Sequence, residues 1–293
     1  MNTLSGRPAL RYPGAKWNLG EWVISYLPYG GVDSYTEAYG GSAGVLIQKP
    51  RHTIETYNDL SGDVVNFFKM LRDCPDDLIR SLELTPYARA EFELSKNPPG
   101  NISDLERARL TFVRHWMSIS GGRKSVGGWR AISDKSGRGN TPAYDMTNIS
   151  HLYIIAERFR GVQIEQLPAH DLLLRYDGTG TLHYVDPPYV ASTRTEKNLY
   201  HHELKTEKEH GELLDVLLSL RGMVVLSGYK TPLYADALES RGWVRRDTET
   251  QANTGVKRLE SLWLSPRTWD CLQQDVSAMP LFAAMEKGKL FCD

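Results

Sequence analysis

The strongest constraint on the fold is an alternation of short strand signals with helical stripes. Residues 34–38 and 53–57 are β-prone, and each leads through a turn into an apolar pattern at helical spacing. Val45, Leu46 and Ile47 follow the first, and Val64, Val65, Phe67, Phe68 and Leu71 follow the second. Strands separated by helices pair in parallel, so the segment predicts a doubly wound sheet with helices on its faces. Residues 16–28, with Trp17, Leu19, Trp22, Val23, Tyr26 and Leu27 at near-helical spacing, predict a helix that stops at Pro28 and Gly30-Gly31. The alternation lapses between about residues 75 and 150 and then resumes. Strands are expected at 162–165, 182–185, 223–226 and 261–264, and helices near 150–160, 207–221 and 231–241. The expected organisation is an α/β body of residues 1–74 and 150–270, a mainly helical insertion at 75–149, and a tail at 271–293.

A formal net charge of -1, with 24% charged residues, makes the whole chain no magnet for polyanions, so any nucleic-acid affinity must come from a local patch. Such a patch exists inside the insertion. Residues 107–138 hold Arg107, Arg109, Arg114, Arg123, Lys124, Arg130, Lys135 and Arg138 against the single acid Asp134, with Trp116 and Trp129 interleaved. Gly121-Gly122 and Gly127-Gly128 make much of this stretch flexible or loop-like. It reads either as a solvated loop or as a segment that contacts phosphates and enters a groove. Cys74, Cys271 and Cys292 lie far apart and form no C-x-x-C pair, which points to a reducing cytoplasm and to no zinc site. No apolar run approaches the length of a membrane span, and a soluble, unexported protein is expected.

Two places carry candidate chemistry. Gly40-Gly41-Ser42-Ala43-Gly44 follows the first strand, where glycines permit a sharp turn and close approach of a ligand; a plain strand-to-helix connection is the alternative. About twenty residues on, the next strand ends in Asn58-Asp59, where an acid can accept the hydroxyls of a ribose or, equally, cap a helix. No G-K-[ST] follows the glycines, so a P-loop is disfavoured. The second place is Asp186-Pro187-Pro188-Tyr189, directly after the apolar strand Thr181-Leu182-His183-Tyr184-Val185. The prolines stiffen the backbone, and the carboxylate and neighbouring carbonyls are acceptors only. They match a group with two N–H donors, such as an exocyclic amine, while Tyr189 offers a face for a planar ring.

Asp186-Pro187-Pro188-Tyr189 resembles the D-P-P-Y motif of the adenine-N6 DNA methyltransferases, and the other pieces resemble the Dam-like, D12-class branch of that family, which includes phage and prophage relatives. Tyr12-Pro13-Gly14-Ala15-Lys16-Trp17 is similar to its amino-terminal motif, Glu37-Ala38-Tyr39-Gly40-Gly41-Ser42-Ala43-Gly44 to its E-P-F-x-G-x-G segment, and Asn58-Asp59 to its ribose-binding acid. The resemblance runs from Tyr12 to about Trp263. It implies a Rossmann-like sheet that binds S-adenosylmethionine through Tyr12, Pro13, Gly14, Lys16, Trp17, residues 37–43 and Asp59. It also implies catalysis by Asp186, Pro187, Pro188 and Tyr189 on an adenine flipped out of double-stranded DNA, and no metal. The insertion falls where the family has its target-recognition region, so Arg114, Arg123, Lys124, Trp129, Arg130, Lys135 and Arg138 are expected DNA contacts. A similar Y-x-H-E segment in relatives lies beside the target base, which adds His202 of Tyr200-His201-His202-Glu203. Adjacent histidines point in different directions, which disfavours a metal reading for that pair.

Departures from the pattern are Ala38 for Pro, Tyr39 for Phe and Ala43 for a third Gly; Ala43 is expected to need only a backbone with negative φ. Pro168 stands where relatives often carry an acid, so Gln166-Leu167-Pro168 is left outside the expected site. Ser227-Gly228-Tyr229 is either a wall of the base pocket or plain packing. Cytosine-N4 or RNA-adenine methylation, and a silent DNA-binding relative, are the competing readings; the intact Asp186 favours adenine over the S-P-P-Y more usual for cytosine. The recognition sequence and the presence of a cognate restriction endonuclease stay open at this level.

Overall fold

A computed structural model of the chain describes residues 6–119, 121, 128–131, 142–189, 206–251 and 257–277. In chain order the elements are α1 (Gly20–Ile24), β1 (Ser34–Glu37), α2 (Gly44–Gln48), β2 (Ile54–Asn58), α3 (Gly62–Asp73), α4 (Pro75–Glu83), α5 (Arg89–Lys96), α6 (Asp104–Met117) and α7 (Pro142–Thr147). They continue with α8 (His151–Phe159), β3 (Gln163–Glu165), α9 (Ala169–Arg175), β4 (Thr181–Val185), α10 (Glu207–Ser219), β5 (Met223–Gly228), α11 (Pro232–Leu238), β6 (Val244–Gln251), β7 (Lys257–Leu264) and α12 (Pro266–Ser277).

The strands form one seven-stranded sheet in the order β3-β2-β1-β4-β5-β7-β6. The first five are parallel, as the strand–helix alternation predicts, while β7 runs antiparallel to β5 and β6 closes the edge as its hairpin partner. Chain order reverses between β1 and β4, so the loops after these strands diverge to opposite faces and open a crevice at their carboxyl ends. β4 lies in the middle of the sheet and all five of its residues are buried. Leu182, Tyr184 and Val185 supply its apolar part, while Thr181 Oγ1 and His183 Nδ1 meet Ser34 Oγ and Thr36 Oγ1.

Side chains alternate between the two faces of the sheet. Tyr35, Tyr57, Met223, Val225, Leu262 and Leu264 enter one apolar cluster, and Val185, Val224, Leu226 and Trp263 enter another with α9, α10 and α11. Helices α4, α5 and α6, within the expected insertion, join the first cluster: Leu78, Phe92 and Phe112 pack with the residues beneath the sheet. α6 is a regular helix of 14 residues. Its basic residues therefore sit on a helix and not in the loop-like stretch the glycines suggest. Ala108, Phe112, Val113, Trp116 and Met117 bury its other face, and the Ser103 side chain accepts from the Glu106 N–H to cap it.

Other differences are local. The helix expected over 16–28 is a 3-10 turn at Trp17–Leu19 followed by the short α1. Strand β6, VRRDTETQ, carries no apolar alternation because it is an edge strand held by its pairing to β7. β7 begins four positions earlier than its apolar half, Ser261–Leu264, indicates. No helix among the described residues is long and apolar enough to cross a membrane.

Candidate active site

The crevice between the ends of β1 and β4 contains a cavity of about 440 Å³. Its walls are the amino-terminal loop Tyr12–Lys16, the β1 end Glu37–Ser42, Asn58–Ser61, Leu167–His170, Tyr184, Asp186–Tyr189, and one face of α6. The glycine turn and the Asp186–Tyr189 stretch, far apart along the chain, thus face one another across a single space.

Steric demands explain the glycine turn. A Cβ on Gly40 would run into the Tyr57 ring, and Gly41 adopts φ +50 with Tyr12 lying against it. Gly40 N–H donates to Asn58 O at 2.7 Å, and the Tyr57 hydroxyl donates to Gly41 O at 2.7 Å. Ala43 corrects an expectation: its backbone is left-handed, with φ 55 and ψ 34, and its N–H donates to Gly40 O at 2.7 Å. Reversing the chain into α2 requires that conformation, which costs an L-residue roughly 1–3 kcal/mol and here permits the tight turn. Ala43 is fully buried and is not among the cavity walls; neither is Trp17, which packs on the core with its carbonyl accepting from Gln48 Nε2.

Asp59 joins two loops: Oδ2 accepts from Gly41 N–H and Oδ1 from Ser61 N–H, each at 2.8 Å. Buried Asn58 is a further organiser, donating from Nδ2 to Ala38 O and Leu167 O and accepting from Leu167 N–H. Leu167 and Pro168, left outside the expected site, are therefore drawn into its wall. At the end of β1, the Tyr35 hydroxyl and Leu46 N–H both donate to Glu37 Oε2 at 2.9 Å. Burial nonetheless pushes the Glu37 carboxyl up to about 8, so it is largely protonated at neutral pH. His115 of α6, unforeseen in the sequence, stacks on Tyr12 with ring centroids 5.4 Å apart and donates from Nδ1 to Arg11 O and Gly121 O. Burial lowers its pKa to about 4, and it is neutral.

The corner after β4 is an ionic cluster. Lys16 Nζ lies 2.7 and 2.8 Å from the two Asp186 carboxylate oxygens and 3.5 Å from Glu260 Oε1. It also donates to the Tyr189 hydroxyl, which in turn donates to Glu260 Oε1. Ser227 Oγ donates to the same Glu260 oxygen at 3.2 Å. The Lys16 side chain is 6% exposed, that of Asp186 15% and that of Glu260 5%. Burial raises the Asp186 pKa to about 6 and Glu260 adds to the rise, while Lys16 opposes it. Burial works against the Lys16 ammonium, yet Asp186 and Glu260 hold its pKa above the ordinary lysine value. The Tyr189 and Tyr229 rings are 4.3 Å apart and tilted by 55°, so the Ser227-Gly228-Tyr229 segment touches this corner through both its hydroxyl and its ring.

Glu260, like His115, is a residue that sequence reasoning missed. Its signal was parity: it shares a face of β7 with Leu262 and Leu264, which makes it an acid at a core-facing position. Of the basic residues expected to contact DNA, Arg114 lines the cavity. Arg130 pairs with Asp145 at 3.2 Å, and Trp129 is partly buried, 5.8 Å from the Tyr87 ring and with Arg89 4.5 Å over its face. Arg123, Lys124, Lys135, Arg138 and His202 lie outside the described residues. Among the described residues, no group of three His, Cys, Asp or Glu side chains gathers as a metal site requires.

The family model of the D12 class N6 adenine-specific DNA methyltransferases matches residues 12–252. No curated protein matches the chain.

Proposed function

The chain belongs to the D12 class N6 adenine-specific DNA methyltransferases, whose activity is DNA adenine methylation, and on that premise we propose that it moves the methyl group of S-adenosylmethionine to N6 of an adenine flipped out of duplex DNA. The observation that carries this reading is the meeting of the glycine turn after β1 with Asp186 after β4 in one cavity at the reversal point of the sheet.

The cavity suits such a cofactor. About 440 Å³ is within the range of small-molecule sites. Ser42 Oγ, Tyr184 Oη and His170 Nε2 are buried polar atoms of its lining residues without a protein partner. Gly40 and Gly41 line the cavity, and the turn they form fits closely against the Tyr57 and Tyr12 rings. Asp59 is the group to take the ribose hydroxyls, and Tyr12, Pro13, Gly14 and residues 37–42 form the rest of the cradle. When bound, S-adenosylmethionine supplies a methyl group already activated by its sulfonium.

What the chain must do is prepare the amine. The nitrogen lone pair of adenine N6 is delocalised into the ring and is a poor nucleophile. Asp186 and the Pro187 carbonyl would accept the two amine hydrogens and draw the nitrogen towards tetrahedral geometry, freeing the lone pair. With its pKa near 6, Asp186 is ionised at neutral pH and can accept. The cluster's negative charge also favours the positive charge that grows on the nitrogen. Flipping costs a few kcal/mol, and stacking on Tyr189 offsets about 1–3 kcal/mol of it. The basic segment after α6, including Arg123 and Lys124, is assigned to the duplex backbone and grooves. A cytoplasmic, DNA-associated enzyme is the matching setting.

The test is transfer of labelled methyl from S-adenosylmethionine to duplex DNA, with N6-methyladenine identified after digestion. Asp186→Ala is expected to abolish transfer while cofactor binding persists; transfer at the wild-type rate by that variant refutes the mechanism.

A further inference from the structure

Glu260 lies on β7, beyond the residues that the family model matches, yet it reaches the centre of the catalytic corner. We propose that Glu260 is a positioning residue: it takes the Lys16 ammonium from Asp186 as the target amine enters, and it holds the Tyr189 ring in place through the hydroxyl. The proposal rests on the reading of this corner as the adenine-amine site.

The geometry sets the problem that Glu260 solves. Both Asp186 oxygens are engaged by Lys16, at 2.7 and 2.8 Å. An ammonium offers only donors and occupies the acceptors that an exocyclic amine needs. The substrate amine must therefore displace it, at least from one oxygen. A buried ammonium cannot be left without a carboxylate, because removing one partner of a buried pair is strongly unfavourable. Among the described residues, Lys16 has one other carboxylate within 4 Å, and that is Glu260 at 3.5 Å. The distance is slightly longer than a direct hydrogen bond, so a small swing of the lysine head completes the contact.

The receiving group is fixed in advance. Ser227 Oγ on β5 and the Tyr189 hydroxyl both donate to Glu260 Oε1. The Tyr189 hydroxyl also accepts from Lys16, so a chain of hydrogen bonds already runs from the ammonium through the phenol to Glu260. Moving the lysine along that chain keeps the phenol bonded, and the ring stays beside Tyr229, ready for a base. Glu260 thus couples release of the acceptor to readiness of the stacking face.

Glu260→Gln removes the charge and keeps the size and the acceptor oxygen. The groups facing Asp186 are Lys16 from the amino-terminal loop, Glu37 from β1, Tyr184 from β4, Ser227 from β5, Tyr234 from α11 and Glu260 from β7. Of these, Glu260 is a negative charge that raises the Asp186 pKa, so its loss moves the acid limb of methyl transfer to lower pH. A packing role alone would leave that limb where it is. The expected result is a kcat lower by roughly tenfold to a hundredfold, an acid limb at lower pH, and unchanged binding of S-adenosylhomocysteine, with Glu260→Asp recovering part of the rate. Wild-type kcat with an unmoved acid limb overturns the proposal. Equal loss in both variants, together with lost S-adenosylhomocysteine binding, assigns Glu260 to packing and also overturns it. A carboxyl-carbon NMR titration of Asp186 in the ligand-free protein tests the same link without turnover: an unshifted titration in Glu260→Gln overturns the proposal. If the wild-type protein methylates no DNA, the adenine reading itself has failed, and this titration still decides the link between Glu260 and Asp186.

Discussion

Replacing Lys16 by methionine tests whether the ammonium sets the working pH of Asp186. In the native cluster one cation sits between two carboxylates; without it, Asp186 and Glu260 face each other with no counter-charge. Two like charges at a buried site cannot both stay ionised cheaply, so one carboxyl binds a proton more tightly. At an effective dielectric constant of about 20, unit charges about 4 Å apart interact by about 4 kcal/mol. Since one pK unit is about 1.4 kcal/mol, the ceiling on the shift is roughly three units, and entry of water reduces it to about one or two. The wild-type acid limb is expected near pH 6, where Asp186 titrates. In Lys16→Met it should rise by about one to two units, so that transfer near neutral pH drops about twofold to tenfold and recovers as the buffer is made alkaline. Single-turnover methyl transfer measured from acid to alkaline pH reads this directly. An acid limb that stays in place, or that moves to lower pH, refutes the electrostatic account of the corner. Glu260→Gln moves the limb the opposite way, so the two substitutions check each other.

Gly40→Ala drives a Cβ into the buried Tyr57 ring, and the crowding should cost about 1–3 kcal/mol and weaken S-adenosylhomocysteine binding; calorimetric binding as tight as wild type would show that the turn tolerates a side chain. Glu55 accepts from Arg158 at 2.5 and 2.9 Å and pairs with Lys49 at 2.5 Å, all three groups being buried. Glu55→Gln leaves two cations without their carboxylate, and a loss of about 3–5 kcal/mol is expected in urea unfolding at constant m; a change below about 1 kcal/mol would mean that water already screens the cluster. Removing the charges of Arg123 and Lys124 should weaken duplex binding across all sequences and lower the slope of log affinity against log salt by about two. An unchanged slope would return that segment to the class of solvated loops.

What the sequence disclosed of this molecule follows from how local its causes are. Strands β1 to β5 were legible because their β-prone runs alternate with helical stripes, and β4, buried at all five positions, carries Leu182, Tyr184 and Val185. The glycine turn and Asp186-Pro187-Pro188-Tyr189 were legible because the steric and backbone demands there fall on adjacent residues. Ala43 escaped because its positive φ is imposed by a hydrogen bond to Gly40 and by the course of α2, and nothing in an alanine announces it. Strand β6 escaped because its cause is the pairing with β7, and not burial of its own side chains.

Charge was the hardest property to read. Counting residues 107–138 gave a basic stretch with one acid, yet Arg109 is bound by Glu106 and by Glu91 of another helix, and Arg130 by Asp145. Part of the apparent surplus is therefore neutralised inside the fold, and the share left for DNA is smaller than the count. The same non-local pairing works in reverse at the corner after β4. Lys16 is expected by its motif in a cofactor loop, but its partner Asp186 is 170 positions away and its second carboxylate is on β7. A charge near a motif inherits a role from whatever the fold sets against it, and at Lys16 that is the pair of carboxylates Asp186 and Glu260.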